Sequence, residues 1–130
     1  MALNKQRGAN KAETLTVPDY SLTPAIEGTI VTYAQATSSI SVGATLTYNA
    51  VTVGNAFGTE GSRVVSIEIP ESNTEYFIRA GGAIAMGDRI GSDANGFAVK
   101  DATNVGPLIA MSAGIPGQYI VAQKKIGVVL

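Results

Sequence analysis

The carboxylates Asp88, Asp93 and Asp101 are the nearest thing in this chain to a reactive cluster. Oxygen donors that recur close together in sequence can hold calcium, as in loops of the D-x-D-x-D-G kind. Spacings of five and eight residues are too wide for that pattern. The Asp93-Ala94-Asn95-Gly96 run reads better as a hairpin turn, with Asn95 and Gly96 supplying the positive φ angles of a type I′ turn. Serines are numerous, but the chain has no histidine, so the usual general base and the commonest metal ligand are both missing. A serine paired with Lys124 or Lys125 is chemically conceivable, yet no motif selects one. With no cysteine there are no disulfides, no thiolate nucleophile and no cysteine metal site. The pair Gly81-Gly82 fits neither G-x-G-x-x-G nor a P-loop. The expectation is therefore a protein without catalytic centre, cofactor or metal.

The glycines and carboxylates instead mark turns between short strands. Gly81 to Lys100 alternates brief apolar runs with glycine-containing turns and leaves no room for an ordinary helix. Strand character recurs at Gly28–Ala34, Thr45–Val53, Arg63–Ile69, Glu75–Arg79, Phe97–Lys100, Leu108–Met111, Gln118–Ala122 and Ile126–Leu130, all rich in β-branched and aromatic residues. Val65, Ile67 and Ile69 should face one way, and Ser66 and Glu68 the other. The Glu71–Thr74 segment after Pro70 is turn chemistry and predicts a hairpin joining its flanking strands. Many short strands separated by turn signals predict a small sandwich or barrel. A weak internal similarity aligns Ile40–Asn49 with Ile84–Asp93, in each case a glycine turn feeding a strand.

Residues 1–25 differ from the rest. Lys5, Arg7 and Lys11 precede any acid, and Pro18 and Pro24 favour extended backbone. Leu15, Val17, Tyr20 and Leu22 are isolated apolar groups along this segment. The pattern predicts an extended N-terminal arm over 1–25 that docks on a partner, followed by a β-rich domain over 26–130.

Composition bounds the function further. A chain of 130 residues is expected to form one domain with a real core. A net charge of −1 gives no electrostatic case for nucleic acid or anionic membranes. The scattered aromatics form no stacking platform for single strands. No apolar run approaches the ~20 residues of a membrane-spanning helix, and the N-terminus lacks the apolar core of a signal peptide. A soluble protein made in a cytoplasm is expected. Charged residues make up only 15% of the chain, so a partner-covered surface is expected.

The C-terminal half resembles the capsid cement, or head decoration, proteins of tailed bacteriophages. Ala80–Ile90, the Asp93–Gly96 turn, Phe97–Val99, Gly106–Met111 and Pro116–Val121 carry the resemblance, which spans about residues 75–123; residues 30–69 do not align. It implies an all-β, small barrel-like domain of the β-tulip kind with an extended N-terminal arm. It further implies a structural protein on the outer surface of the virion that binds the major capsid protein and clamps neighbouring subunits. Leu15, Val17, Tyr20 and Leu22 would then be capsid-contacting residues of the arm. A homotrimer is expected, with a dimer as the other choice. The alternative function is a carbohydrate- or receptor-binding β module of a phage tail or fibre.

Overall fold

The computed structural model describes residues 14–21, 23–45, 47–59, 61–71, 74–103 and 105–124. Among the described residues there are ten strands and no helix: β1 (Thr14–Pro18), β2 (Ile30–Ala34), β3 (Ser39–Ser41), β4 (Ala50–Thr52), β5 (Val64–Glu68), β6 (Glu75–Arg79), β7 (Arg89–Ser92), β8 (Ala98–Lys100), β9 (Leu108–Ala110) and β10 (Tyr119–Lys124). The all-β expectation holds. The strands form two antiparallel five-stranded sheets, β1-β5-β4-β2-β3 and β6-β10-β9-β7-β8, in a small sandwich-like domain rather than one closed barrel. Both sheets curl. In the first, the edge strands β1 and β3 touch; in the second, a bridge from Ala80 to Ala98 brings the end of β6 against β8.

Alternation along β2 and β4 divides the core. Adjacent strand residues point to opposite faces. Ile30 and Val51 join the large cluster of the second sheet, around Ile78, Ile90, Leu108 and Ile120. Val31 and Ala50 face the other way and join Val17, Val65 and Ile67 inside the curl of the first sheet. Tyr48 bolts the halves together. Its hydroxyl donates to the carbonyl of Ile90 at 2.7 Å and accepts from the N–H of Leu108 at 3.3 Å. Burial pushes its phenol well above the ordinary tyrosine range, so it stays neutral and can make both bonds.

Several expectations need correction. The segment read as arm contributes a strand from Thr14 onward: β1 pairs with all of β5, Thr14 opposite Glu68 and Pro18 opposite Val64. The proline sits at the strand's end and β1 is an edge, which is where a missing N–H is tolerated. The hairpin expected at 71–74 does not exist, because β5 and β6 lie in different sheets and the chain crosses between them there. Ile69 falls beyond the end of β5 and is exposed. Of the strand expected over 45–53 only Ala50–Thr52 forms. Thr45 makes an isolated bridge to Ser92 instead, exchanging N–H···O bonds of 3.2 and 3.0 Å. The strand expected at 126–130 lies outside the described residues.

The internal symmetry of the second sheet also differs from the expected one. Ala80, Gly87 and Ile90 correspond to Ala110, Gly117 and Ile120, an offset of thirty residues. The bonds repeat with the offset. Ala80 N–H donates to Gln118 O and Ala110 N–H to Asp88 O, both at 2.8 Å. Gly87 N–H donates to Ala110 O at 2.8 Å and Gly117 N–H to Ala80 O at 2.9 Å. The Asp88 carboxylate caps Ala85 N–H at 2.9 Å, as the Gln118 amide oxygen caps Ile115 N–H at 3.1 Å. Ile84 and Gly114 exchange bonds across the centre, completing an approximate two-fold.

Candidate interaction surfaces

The carboxylates Asp88, Asp93 and Asp101 are caps. The Asp93 carboxylate accepts the N–H of Asn95 at 2.8 Å and of Phe97 at 2.9 Å, closing the β7–β8 hairpin. Gly96 takes the positive φ of 82° but Asn95 does not, so the turn is not type I′. The N–H of Gly96 donates to Asp93 O at 3.0 Å, the geometry of a type I turn followed by a left-handed residue. The Asp101 carboxylate accepts from the Thr103 hydroxyl and from the N–H groups of Thr103, Val105 and Gly106, at 2.6–2.9 Å. Burial alone would push its pKa up; these bonds outweigh burial and hold it at about 2. Asp88, besides its cap, lies 3.9 Å from Lys100. Among the described residues no group of three His, Cys, Asp or Glu is placed to hold a metal ion. Lys124 is exposed at the end of β10, and Lys125 lies outside the described residues.

The four residues expected to contact a partner are not presented together. Val17 is buried in the core of the first sheet and Leu15 packs half-buried against the same cluster. Tyr20 is 65% exposed. Leu22 lies outside the described residues. A buried carboxylate, Asp19, holds this turn. It accepts from the Ser21 N–H at 3.0 Å, the Ser21 hydroxyl and the Ala25 N–H at 3.0 Å, and lies 3.4 Å from the Arg63 guanidinium. That guanidinium also donates to Ser21 O. Burial opposes ionisation of Asp19, but these hydrogen bonds and Arg63 hold its pKa below the usual value. This anchor is not legible in the sequence, because Arg63 lies 42 residues from Ser21 along the chain.

Three surfaces are left for recognition. The first is the outward face of the second sheet, where Phe77 stands opposite Val121 and Arg79 opposite Tyr119. Phe77 and Tyr119 are exposed, and Arg79 stacks over the Phe97 ring at 5.3 Å. The second is the end built by the two symmetry-related turns. There Met86 and Ile115 are exposed beside Ala83, Ala85, Ala113 and Pro116, and Asp88 is the sole charged residue of the two turns, 81–88 and 111–118. The third is a groove of about 260 Å³ between the first sheet and β6, with Glu27, Thr52 and Glu68 on one side and Glu75 and Phe77 on the other. Gly28, next to Glu27 in the chain, packs tightly against β6 and β10. It adopts φ 86°, and a Cβ there would sit 2.7 Å from the Tyr119 ring and 2.9 Å from Phe77 O. Its carbonyl accepts from Arg79 N–H at 3.0 Å, and the Tyr119 hydroxyl donates to Glu27 O at 2.9 Å.

This architecture has a counterpart among solved structures. The chain folds like the head fiber gp8.5 N base of bacteriophage phi29. The TM-score is 0.66, over 88% of this chain and 95% of that one, at 18% sequence identity. No protein family and no curated protein matches the chain in sequence.

Proposed function

We propose that the chain is a structural protein of a phage virion, carried on the head. The observation that supports this most is the fold shared over nearly the whole of both chains with a protein named as the base of a phage head fiber. The surfaces fit a binding role. Charge is sparse, the two symmetry-related turns offer Met86 and Ile115 to a partner, and Phe77 with Tyr119 forms an aromatic face. Apolar patches of this kind mark interfaces in soluble proteins. The chemically capable carboxylates at 88, 93 and 101 are spent on turns, which favours a scaffold over an enzyme.

The finer reading is that the protein seats on the outer surface of the head and cements neighbouring major capsid subunits, as a homotrimer. The exposed Tyr20 would add to the contact, while Leu15 and Val17 would act by fixing β1 on the sheet. Sedimentation of purified protein with heads that lack it tests this reading. Saturable binding to heads, lost in Met86→Asp/Ile115→Asp or Phe77→Asp variants that still fold, is expected. Protein that stays in the supernatant at all ratios contradicts it.

A further inference from the structure

We propose that the acidic groove between the first sheet and β6 is the docking site of the chain's own N-terminal basic segment, residues 1–13, which lie outside the described residues. The proposal is independent of the head reading. Glu27, Glu68 and Glu75 border the groove, and none of them takes part in either ion pair found among the described residues, Arg63–Asp19 and Lys100–Asp88. Glu68 is close enough to Tyr76 to help raise its phenol pKa, although burial is the larger cause. At about 260 Å³ the groove is below the ~300–1,000 Å³ of small-molecule pockets, so it suits side chains of an extended segment better than a free ligand.

The point where the segment begins selects it as occupant. Thr14, the first residue of β1, stands directly opposite Glu68, and its hydroxyl donates to the Glu68 carboxylate at 3.0 Å. Residues 1–13 therefore attach at the lip of the groove. An extended chain covers roughly 3.3–3.6 Å per residue, so Lys11 reaches about 10 Å from Thr14 and Arg7 about 24 Å. Lys5, Arg7 and Lys11 are the chain's only cations before Arg63, which is buried against Asp19. Cationic side chains concentrated in one segment thus meet carboxylates concentrated in one groove. Exposed pairs of this kind are individually weak and screened by salt, so the docking is reversible.

The absence of cysteine makes the test clean, because Ala2→Cys supplies a single attachment point for a spin label on the full chain. The readout is loss of the backbone amide NMR signals of Glu75, Tyr76 and Phe77 by paramagnetic broadening at low ionic strength. The expected result is that these signals are lost, and that they return at 1 M salt, where the screening length is about 3 Å. They should also return in the Lys5→Glu/Arg7→Glu/Lys11→Glu variant, and in Glu27→Gln/Glu75→Gln. Signals that persist under all conditions overturn the proposal. So does broadening that survives both high salt and charge reversal. Broadening seen only when spin-labelled and isotope-labelled chains are mixed assigns the groove to a second copy and also overturns it.

Discussion

Replacing Tyr48 with Phe should separate the two halves of the core energetically while leaving their packing intact. The ring is kept, so no cavity forms; only the hydroxyl is lost. That hydroxyl serves two backbone groups at once, the carbonyl of Ile90 in β7 and the N–H of Leu108 in β9, and both lie in a buried setting. Leaving a buried polar group without a partner costs about 1–3 kcal/mol. Two such groups that relax in part give an expected loss of about 2–3 kcal/mol. For a domain of this size, between the surveyed classes, that corresponds to a fall in Tm of about 6–12 °C. Urea unfolding followed by circular dichroism measures it: the midpoint should drop with little change in m. The pH dependence supplies a second check. The Tyr48 phenol is raised by burial, so above pH ~10 the unfolded chain loses its proton more readily than the folded one, and stability falls as pH rises. Tyr48→Phe should lose less stability than wild type over pH 10–12. Tyr76, shifted the same way, remains in both. A change below about 0.5 kcal/mol, the size of an ordinary surface substitution, would refute the idea that this hydroxyl joins the sheets.

Other outcomes follow from the same structure. Asp19→Asn leaves the buried Arg63 guanidinium without a counter-charge and should cost about 3–5 kcal/mol in urea unfolding, with much of the loss recovered in Asp19→Asn/Arg63→Met. The pKa of Asp101 is lowered to about 2, so its stabilisation is fully present above pH ~4 and is lost as pH falls through about 2, and Asp19, lowered in the same direction, adds to that acid limb; Asp101→Asn should flatten it. Gly96→Ala must hold φ 82° and push a Cβ to 2.8 Å from Ile30 O, so at least about 2 kcal/mol of destabilisation is expected by the same assay.

Local pattern carried much of this fold and stopped where contacts are long-range. Glu75–Arg79 was legible to the residue because Tyr76 and Ile78 alternate with exposed neighbours between clear turn signals. The alternation of Val65 and Ile67 likewise marked β5. The sheet partners were not legible. The turn residues at 71–74 are as compatible with a crossover between sheets as with a hairpin, and only the bridging of β5 to β1 and β4 decides it. β1 was hidden because its proline and wide apolar spacing are those of a loose segment until Val65 and Ile67 are placed beside Val17 and Leu15 on the paired strand β5. The two-fold of the second sheet rests mainly on backbone bonds between Ala80–Asp88 and Ala110–Gln118, in which Asp88 and Gln118 play one role with different side chains, so residue identity alone conceals it. Of the surfaces, low charge pointed to a covered face, but the acidic groove needed Glu27, Glu68 and Glu75 brought together from three places in the chain.

The most direct test of the proposed head assignment is quantitative mass spectrometry of phage particles purified from cultures that express the chain, fractionated into heads and tails. The chain should be enriched with the heads in fixed proportion to the major capsid protein, and should remain there after washing at high salt if apolar surfaces such as Met86, Ile115 and Phe77 make the contact. Its absence from particles, or its recovery with tails alone, would contradict the account.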